Sequence, residues 1–482
     1  MTVMMRGVVA ILALGLCWGA EAADRAVTVD GKTFVNKGLV GVGRMPANLR
    51  DEFGETFGSG SGMTVDAASW RRVDGGYEGT FVLLPDRGYN VAGTTDYRPR
   101  INKLTVRFAP GKTSQDGVVA TLADTILLTD AAGQPLSGLD PEEGGVRKAA
   151  GGFPDMPQAR NGRIALDPEA IARLPDGSYF ISDEYGPYVY RFSAEGRMLS
   201  AIRPPDAFIP MRKGAQHFGS NNPGPGAAAP VPPNPEFGRQ NNQGFEGMAL
   251  TPDARKLAVI LQSANRHEGG DSPATRNHVR LLMYDVADPA APKLTAEHVV
   301  PLPVFKAGDR TLVAAQSELT ALSDTLFLLL SRDSGNGYGL KGTTSLYRRI
   351  DIIDIAKATN IAGSAFDGTR SIAPKGMLDP SIVPATLHGF IDINDDAELG
   401  RFGLRNGAPN DKNNLSEKWE AMSLVSALDP ANPQDFLLVV ANDNDFMTQD
   451  GFQVGAPYKD ESGADIDTTI LVYRVTVPTL SR

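Results

Sequence analysis

EGMALTPDARKLAVILQS (residues 246–263) sets a glutamate at the head of an apolar run. Met248-Ala249-Leu250 follow at once, Pro252-Asp253 marks a turn, and Leu257 to Leu261 is continuously apolar. Such a run reads as a hairpin whose second strand is buried between layers. A carboxylate beside that strand is costly unless a cation or a hydrogen-bond donor meets it. Glu246 therefore needs a partner, and the recurrence of the pattern elsewhere decides the fold.

The pattern does recur. EAIARL (169–174), ELTALS (318–323) and EAMSLV (420–425) each open with Glu and continue as a short apolar strand, and SGMTVD (61–66) is a fifth copy headed by Ser61. Turn residues follow each, then a second apolar strand: TFVLL, YFIS, LAVIL, LFLLL and FLLVV. Each second strand ends in a polar cluster: PDRGYN (85–90), SDEYGP (182–187), QSANRH (262–267), SRDSGN (331–336) and ANDNDF (441–446). A third strand comes next, the last being ILVYRVTV (470–477). A repeated antiparallel unit of this kind predicts an all-β fold, a β-propeller whose blades pack face to face around a channel. Five blades are marked, and a sixth, unmarked, is left open within 356–418. In antiparallel strands the Glu heads and the polar clusters fall at one end of the channel. The last blade lacks an outer strand after residue 477, so an N-terminal strand from 26–43 is expected to pair with ILVYRVTV and close the ring.

Around this core, residues 1–22 read as a signal peptide. Arg6 precedes an apolar run from Gly7 to Trp18, and Ala20-Glu21-Ala22 matches a cleavage site, so the mature chain is expected to start near Ala23 and to be periplasmic or secreted. Cys17, the single cysteine, falls in that segment, which leaves no disulfide or thiol chemistry in the mature protein. Residues 23–482 read as one propeller domain with irregular insertions at about 219–239 and 356–418. The first is rich in Pro and Gly and is read as a loop over a channel end or as an insertion without a role. The second contains Asp392, Asn394 and Asp396, the start of a calcium-loop spacing, but it lacks the glycine and has Gly403 at position twelve. A net charge of -10 without a basic stretch argues against nucleic acid as a partner, and no mature segment is long and apolar enough for a membrane helix.

SDEYGPYVYRFSAEGRML (182–199), NNQGFEGMALTPDARKLAVILQS (241–263) and FGSGSGM (57–63) together resemble the phytase-like family described by esterase-like activity, a group of exported β-propeller proteins. The resemblance extends over about 35–477 and implies hydrolysis of a small-molecule ester or phosphoester. Gluconolactonase-like propeller hydrolases, which bind calcium in the channel, also begin blades with Glu-Gly.

The residues themselves suggest the chemistry. Four glutamates on one rim repel one another, and a divalent cation would relieve them. Glu169, Glu246, Glu318 and Glu420, with Asp86, Asp183 and Asn442, offer the all-oxygen set that calcium prefers, whereas His and Cys are absent from the repeat. Arg87 and Arg332 in the polar clusters could hold an anionic group, and Asp183 or Glu184 could act as general base. Two readings of the Glu heads stay open: ligands of one calcium ion, or staples that accept backbone N–H groups from the neighbouring blade. Two functions stay open as well, a calcium-dependent hydrolase and a non-catalytic propeller that binds a small ligand or protein on the same rim. There is no Gly-x-Ser-x-Gly elbow to support a serine nucleophile.

Overall fold

The computed structural model describes residues 25–480 apart from 91, 112 and 143; the leader reading of 1–22 lies outside the described residues. Its strands form five four-stranded antiparallel blades. The first runs from Gly62–Val65 through Gly76–Leu84 and Arg100–Phe108 to Val118–Leu127. The second begins with Pro168–Arg173, the third with Phe245–Leu250, the fourth with Ala315–Ala321 and the fifth with Trp419–Ser426. Each of these innermost strands packs against the innermost strands of two neighbouring blades, and the fifth packs against the first, so the ring is closed.

The continuous apolar runs become the second strands, which lie between blades. Leu257 to Leu261 is fully buried, as are Leu326 to Leu330 and Leu437 to Ala441. Their side chains fill cores shared by adjacent blades. Val82 and Leu84 of the first meet Ile181 of the second, and Leu328 and Leu330 of the fourth meet Leu438 and Leu471 of the fifth. Innermost strands approach so closely that a Cβ on Gly62 would stand 2.3 Å from the carbonyl oxygen of Glu169.

Closure follows the expected route. Lys32–Met45 pairs antiparallel with Thr468–Thr476, Val42 opposite Leu471, and serves as the outer strand of the fifth blade. A parallel bridge from Gly43 to Val118 ties it to the outer strand of the first. The sixth blade left open is absent among the described residues. Of 356–418 only Thr386–Asp392 joins a blade, as the outer strand of the fourth. Asp392 there pairs with Arg349, the Asn394 side chain bonds Ser345, and Asp396 accepts the Asn406 N–H, so these three do not converge as calcium-loop ligands. The 219–239 insertion is fixed: Asp140 accepts the N–H groups of Ser220 and Asn222, and Arg212 donates to the carbonyls of Pro232 and Pro233. Asn222 in turn accepts from Thr94, in the loop after the first blade's second strand, which places the insertion on the polar-cluster face.

Candidate functional site

Each innermost strand from the second blade to the fifth carries a bulge near its start. Phe245 faces Leu261 and Gly247 faces Ile260, so Glu246 is the extra residue. Trp419 faces Asn442 and Ala421 faces Ala441, which leaves Glu420. Glu169 lies in the corresponding break between Pro168 and Ile171. A bulge re-aims its side chain, and here it turns three glutamates inward. One carboxylate oxygen from each of Glu169, Glu246 and Glu420 falls within a 4.8 Å group, and Asp167, Glu169 and Glu184 form an overlapping one.

Glu318 does not join them. In the fourth blade Gln316 faces Ser331 and Glu318 faces Leu330, so the bulged residue is Ser317. The blade's true head is that serine, matching Ser61 of the first blade, and Glu318 aligns with Gly247 instead. Its carboxylate accepts the N–H of Leu319 at 2.8 Å and of Met248 in the third blade at 3.2 Å. It is an interblade staple, with its pKa raised by burial and held back by those two N–H groups. Glu318→Gln keeps the oxygen that accepts both N–H groups, so its stability should stay within about 1 kcal/mol of the parent. Glu318→Ala orphans both N–H groups and should cost about 1–3 kcal/mol in urea unfolding. Equal losses for the two substitutions would mean that the accepting oxygen is not what matters.

The polar clusters divide the same way. Asp183 accepts the N–H groups of Asp167, Tyr185 and Gly186, each at 3.0 Å, and the Tyr190 hydroxyl at 3.3 Å. Asn442 accepts from Thr469 and donates to the carbonyls of Asp443 and Asp467. Both side chains hold their loops, and their oxygens are not turned to the carboxylate group. Glu184 is: one oxygen accepts the Gly244 N–H, and the other is buried with no donor. Asp86 accepts the Gly88 N–H and groups with Asp443 and Asp445 on the fifth-blade side. Arg87 pairs with Asp167 at 2.5 Å and donates to Asn242, while Arg332 pairs with Glu420.

Three site residues escaped the sequence reading. Lys418 places its Nζ 2.8 Å from Asp445 and 3.7 Å from both Glu420 and Asp443. Its side chain is 25% exposed, and it lines a water-sized cavity of about 20 Å³. Asp167 and Asp443 complete the acidic wall. A signal existed, because Asp167 and Lys418 each stand two residues before a head glutamate, in LDPEAI and EKWEAM.

Carboxylates outnumber the cations Arg87, Arg332 and Lys418 in this buried space, and their acidities show it. Burial drives Glu169 well above the usual carboxylate range, reinforced by Glu246 and Glu184. Burial does the same to Glu246, reinforced by Glu184 and Glu420. Asp86 rises to about 7 through burial, opposed by Lys418, and Asp167 rises to about 7 through burial, opposed by Arg87. Asp443 is also pushed well up by burial. Glu184 is raised by burial, opposed by Arg87. One oxygen each of Glu184, Glu246 and Glu420 is buried without a hydrogen-bond donor. An all-oxygen set with such orphaned oxygens fits a hard divalent cation of calcium type and gives zinc or copper no soft ligand.

The family described as "Phytase-like: Esterase-like activity of phytase" matches residues 55–446. An uncharacterized secreted protein of Arthroderma benhamiae is 41% identical over 462 residues, covering 87% of this chain and 88% of its own. Among solved structures, an N-acetylgalactosamine deacetylase from F. plautii aligns with a TM-score of 0.36 at 9% identity, over 92% of this chain and 95% of that one. A gluconolactonase from Xanthomonas campestris aligns with a TM-score of 0.26 at 11% identity, over 90% and 97%. Scores this low carry no argument, and the propeller rests on the strand pairing above. No helix among the described residues is long and apolar enough to cross a membrane.

Proposed function

This chain belongs to the phytase-like family described by esterase-like activity, and from that premise we propose that it is an exported propeller hydrolase of a small-molecule ester or phosphoester that holds calcium at the carboxylate end of its channel. The observation that carries the reading is the convergence of Glu169, Glu246 and Glu420, from three different blades, on one buried group in which Glu246 and Glu420 each keep an oxygen without a donor. Evolving a hydrophobic plug there would be cheaper for stability, because unpaired buried carboxylates oppose folding. These three glutamates would hold the cation. When bound, calcium supplies positive charge that polarises a carbonyl or phosphoryl oxygen.

The remaining work falls to the chain's own groups. Glu184, raised by burial and without a donor on one oxygen, is placed to take a proton from water. Arg87 and Arg332 are each committed to a carboxylate, so they hold Asp167 and Glu420 in position rather than reach for substrate. Lys418 is paired too, but with the half-exposed Asp445, and at 25% exposure against 8% for Arg87 and 6% for Arg332 it is the candidate contact for an anionic group. The small cavity beside Lys418 has room for about one water. Its narrowness favours keeping a second reading, a propeller that binds a cation and a surface ligand without turnover.

One set of assays separates the two. The protein isolated from the medium or periplasm is offered a phosphomonoester, a phosphodiester, an acyl ester and a lactone, with calcium and with chelator. The hydrolase reading expects calcium-dependent turnover of at least one, and a fall of about 10²-fold or more in kcat for Glu184→Gln. Calcium binding by calorimetry with no turnover of any compound would leave the binding reading. Turnover indifferent to chelator would remove calcium from the mechanism.

A further inference from the structure

The opposite end of the channel holds a second cavity, of about 500 Å³. None of the head residues lines it. Its inner end is formed by the residues two beyond each head: Met63, Ile171, Met248, Leu319 and Met422. One comes from each blade, all are large and apolar, and all are buried. Further out the lining passes through small side chains, Thr64, Ala172, Ala249, Thr320 and Ser423, and opens among the hairpin turns at partly exposed Leu250 and Leu424. The one charged side chain along it, Arg173, is paired with Asp66 at 3.2 Å.

We propose that this cavity binds a small, uncharged molecule with an alkyl or aryl body, at a site separate from the carboxylate group. Its volume falls in the range of small-molecule pockets, about 300–1,000 Å³, and its lining has their composition: apolar walls with a few hydroxyls. These five side chains pack into the cores between blades and show only their edges to the lumen, so the floor of the cavity is apolar and an apolar ligand body would cover it favourably. Three of the five are methionines, whose unbranched, polarisable side chains adapt to varied apolar shapes. The single cation is already neutralised, so a carboxylate or phosphate has no free partner here.

Trp70 lines this cavity, whereas Trp419 is buried at the carboxylate end, so fluorescence can report occupancy. 8-Bromo-octanol, a neutral alkyl quencher, is titrated into the full mature protein. The expected result is saturable quenching with one-to-one stoichiometry by calorimetry, abolished by Trp70→Phe as a signal but not as heat. Filling the lumen with Thr320→Phe should weaken binding tenfold or more, and Lys418→Ala at the other end should leave it unchanged. Should Thr320→Phe fail to fold, Ser423→Leu tests the same space. Linear, non-saturating quenching, or binding equally strong in the filled variants, would overturn the proposal. Calcium and chelator should have no effect on it, which keeps its failure distinct from that of the hydrolase reading.

Discussion

Arg332→Met should lower stability by about 3–5 kcal/mol, the cost of leaving a buried carboxylate without its partner. The Arg332 side chain is 6% exposed and pairs with Glu420, itself 2% exposed, with Glu417 at 3.9 Å. Without the guanidinium, Glu420 would face Glu246, whose acidity it already suppresses. Lys418 cannot take over, because at 3.7 Å from Glu420 it is engaged at 2.8 Å by Asp445. The second arm is Glu420→Gln on the Arg332→Met background, which removes the stranded charge and should recover a large part of the loss. Urea midpoints with unchanged m-values would measure both. A loss under about 1 kcal/mol for Arg332→Met would show the pair to be hydrated, as exposed pairs of that worth are. Saturating calcium should shrink the loss, since a bound cation gives Glu420 a replacement partner, and that shrinkage links this pair to the metal reading.

The strand content was legible in the sequence because it is written in composition. Runs such as LAVIL and LFLLL are apolar on both faces, and at five residues between turn signals that pattern suits a strand buried between layers. Ring closure was legible by subtraction: a third strand ending at residue 477 leaves its outer neighbour to come from the N-terminus, and Lys32–Met45 fills the place. The site was read less well, and the reason is a single residue of register. ELTALS looks like EGMALT when both are aligned on glutamate, but pairing aligns Ser317, not Glu318, with Glu246. A bulge adds one residue to one strand only, and nothing in local composition marks where it falls. Asp183 was drawn into the site by its neighbour, since Asp183 and Glu184 are adjacent in sequence but turn to different tasks. Asp183 closes its own turn, as aspartates after strands commonly do, and Glu184 faces the other carboxylates.

Without calcium, the folded protein should grow less stable as pH rises from about 4 through 7. In the unfolded chain these carboxyls ionise near 3.8 for Asp and 4.5 for Glu. Folded, Asp86 and Asp167 keep their protons to about 7, and Glu169 and Glu246 are also held well above their ordinary range. Between the two limits the folded state binds more protons than the unfolded one, so stability is full below the unfolded values and is lost as pH climbs through the folded ones. Each retained proton contributes a slope of about 1.4 kcal/mol per pH unit, and several carboxyls share the window. Asp379 and Asp429, lowered to about 2 chiefly by side-chain hydrogen bonds, act in the opposite direction below that window, and His267, lowered by burial to about 4, opposes within it as one group against four carboxyls. Calcium selects the ionised cluster, so saturating calcium should flatten the slope and, at a hundredfold excess over Kd, add about 2.7 kcal/mol near neutrality. Urea midpoints at pH 5, 6, 7 and 8, with calcium and with chelator, read both effects. Glu246→Gln with Glu420→Gln should abolish the calcium gain and remove only Glu246's share of the calcium-free slope, leaving that of Asp86, Asp167 and Glu169. A steep slope that calcium leaves untouched would keep the buried carboxylates and reject the cation, and a flat slope without calcium would show water reaching the cluster.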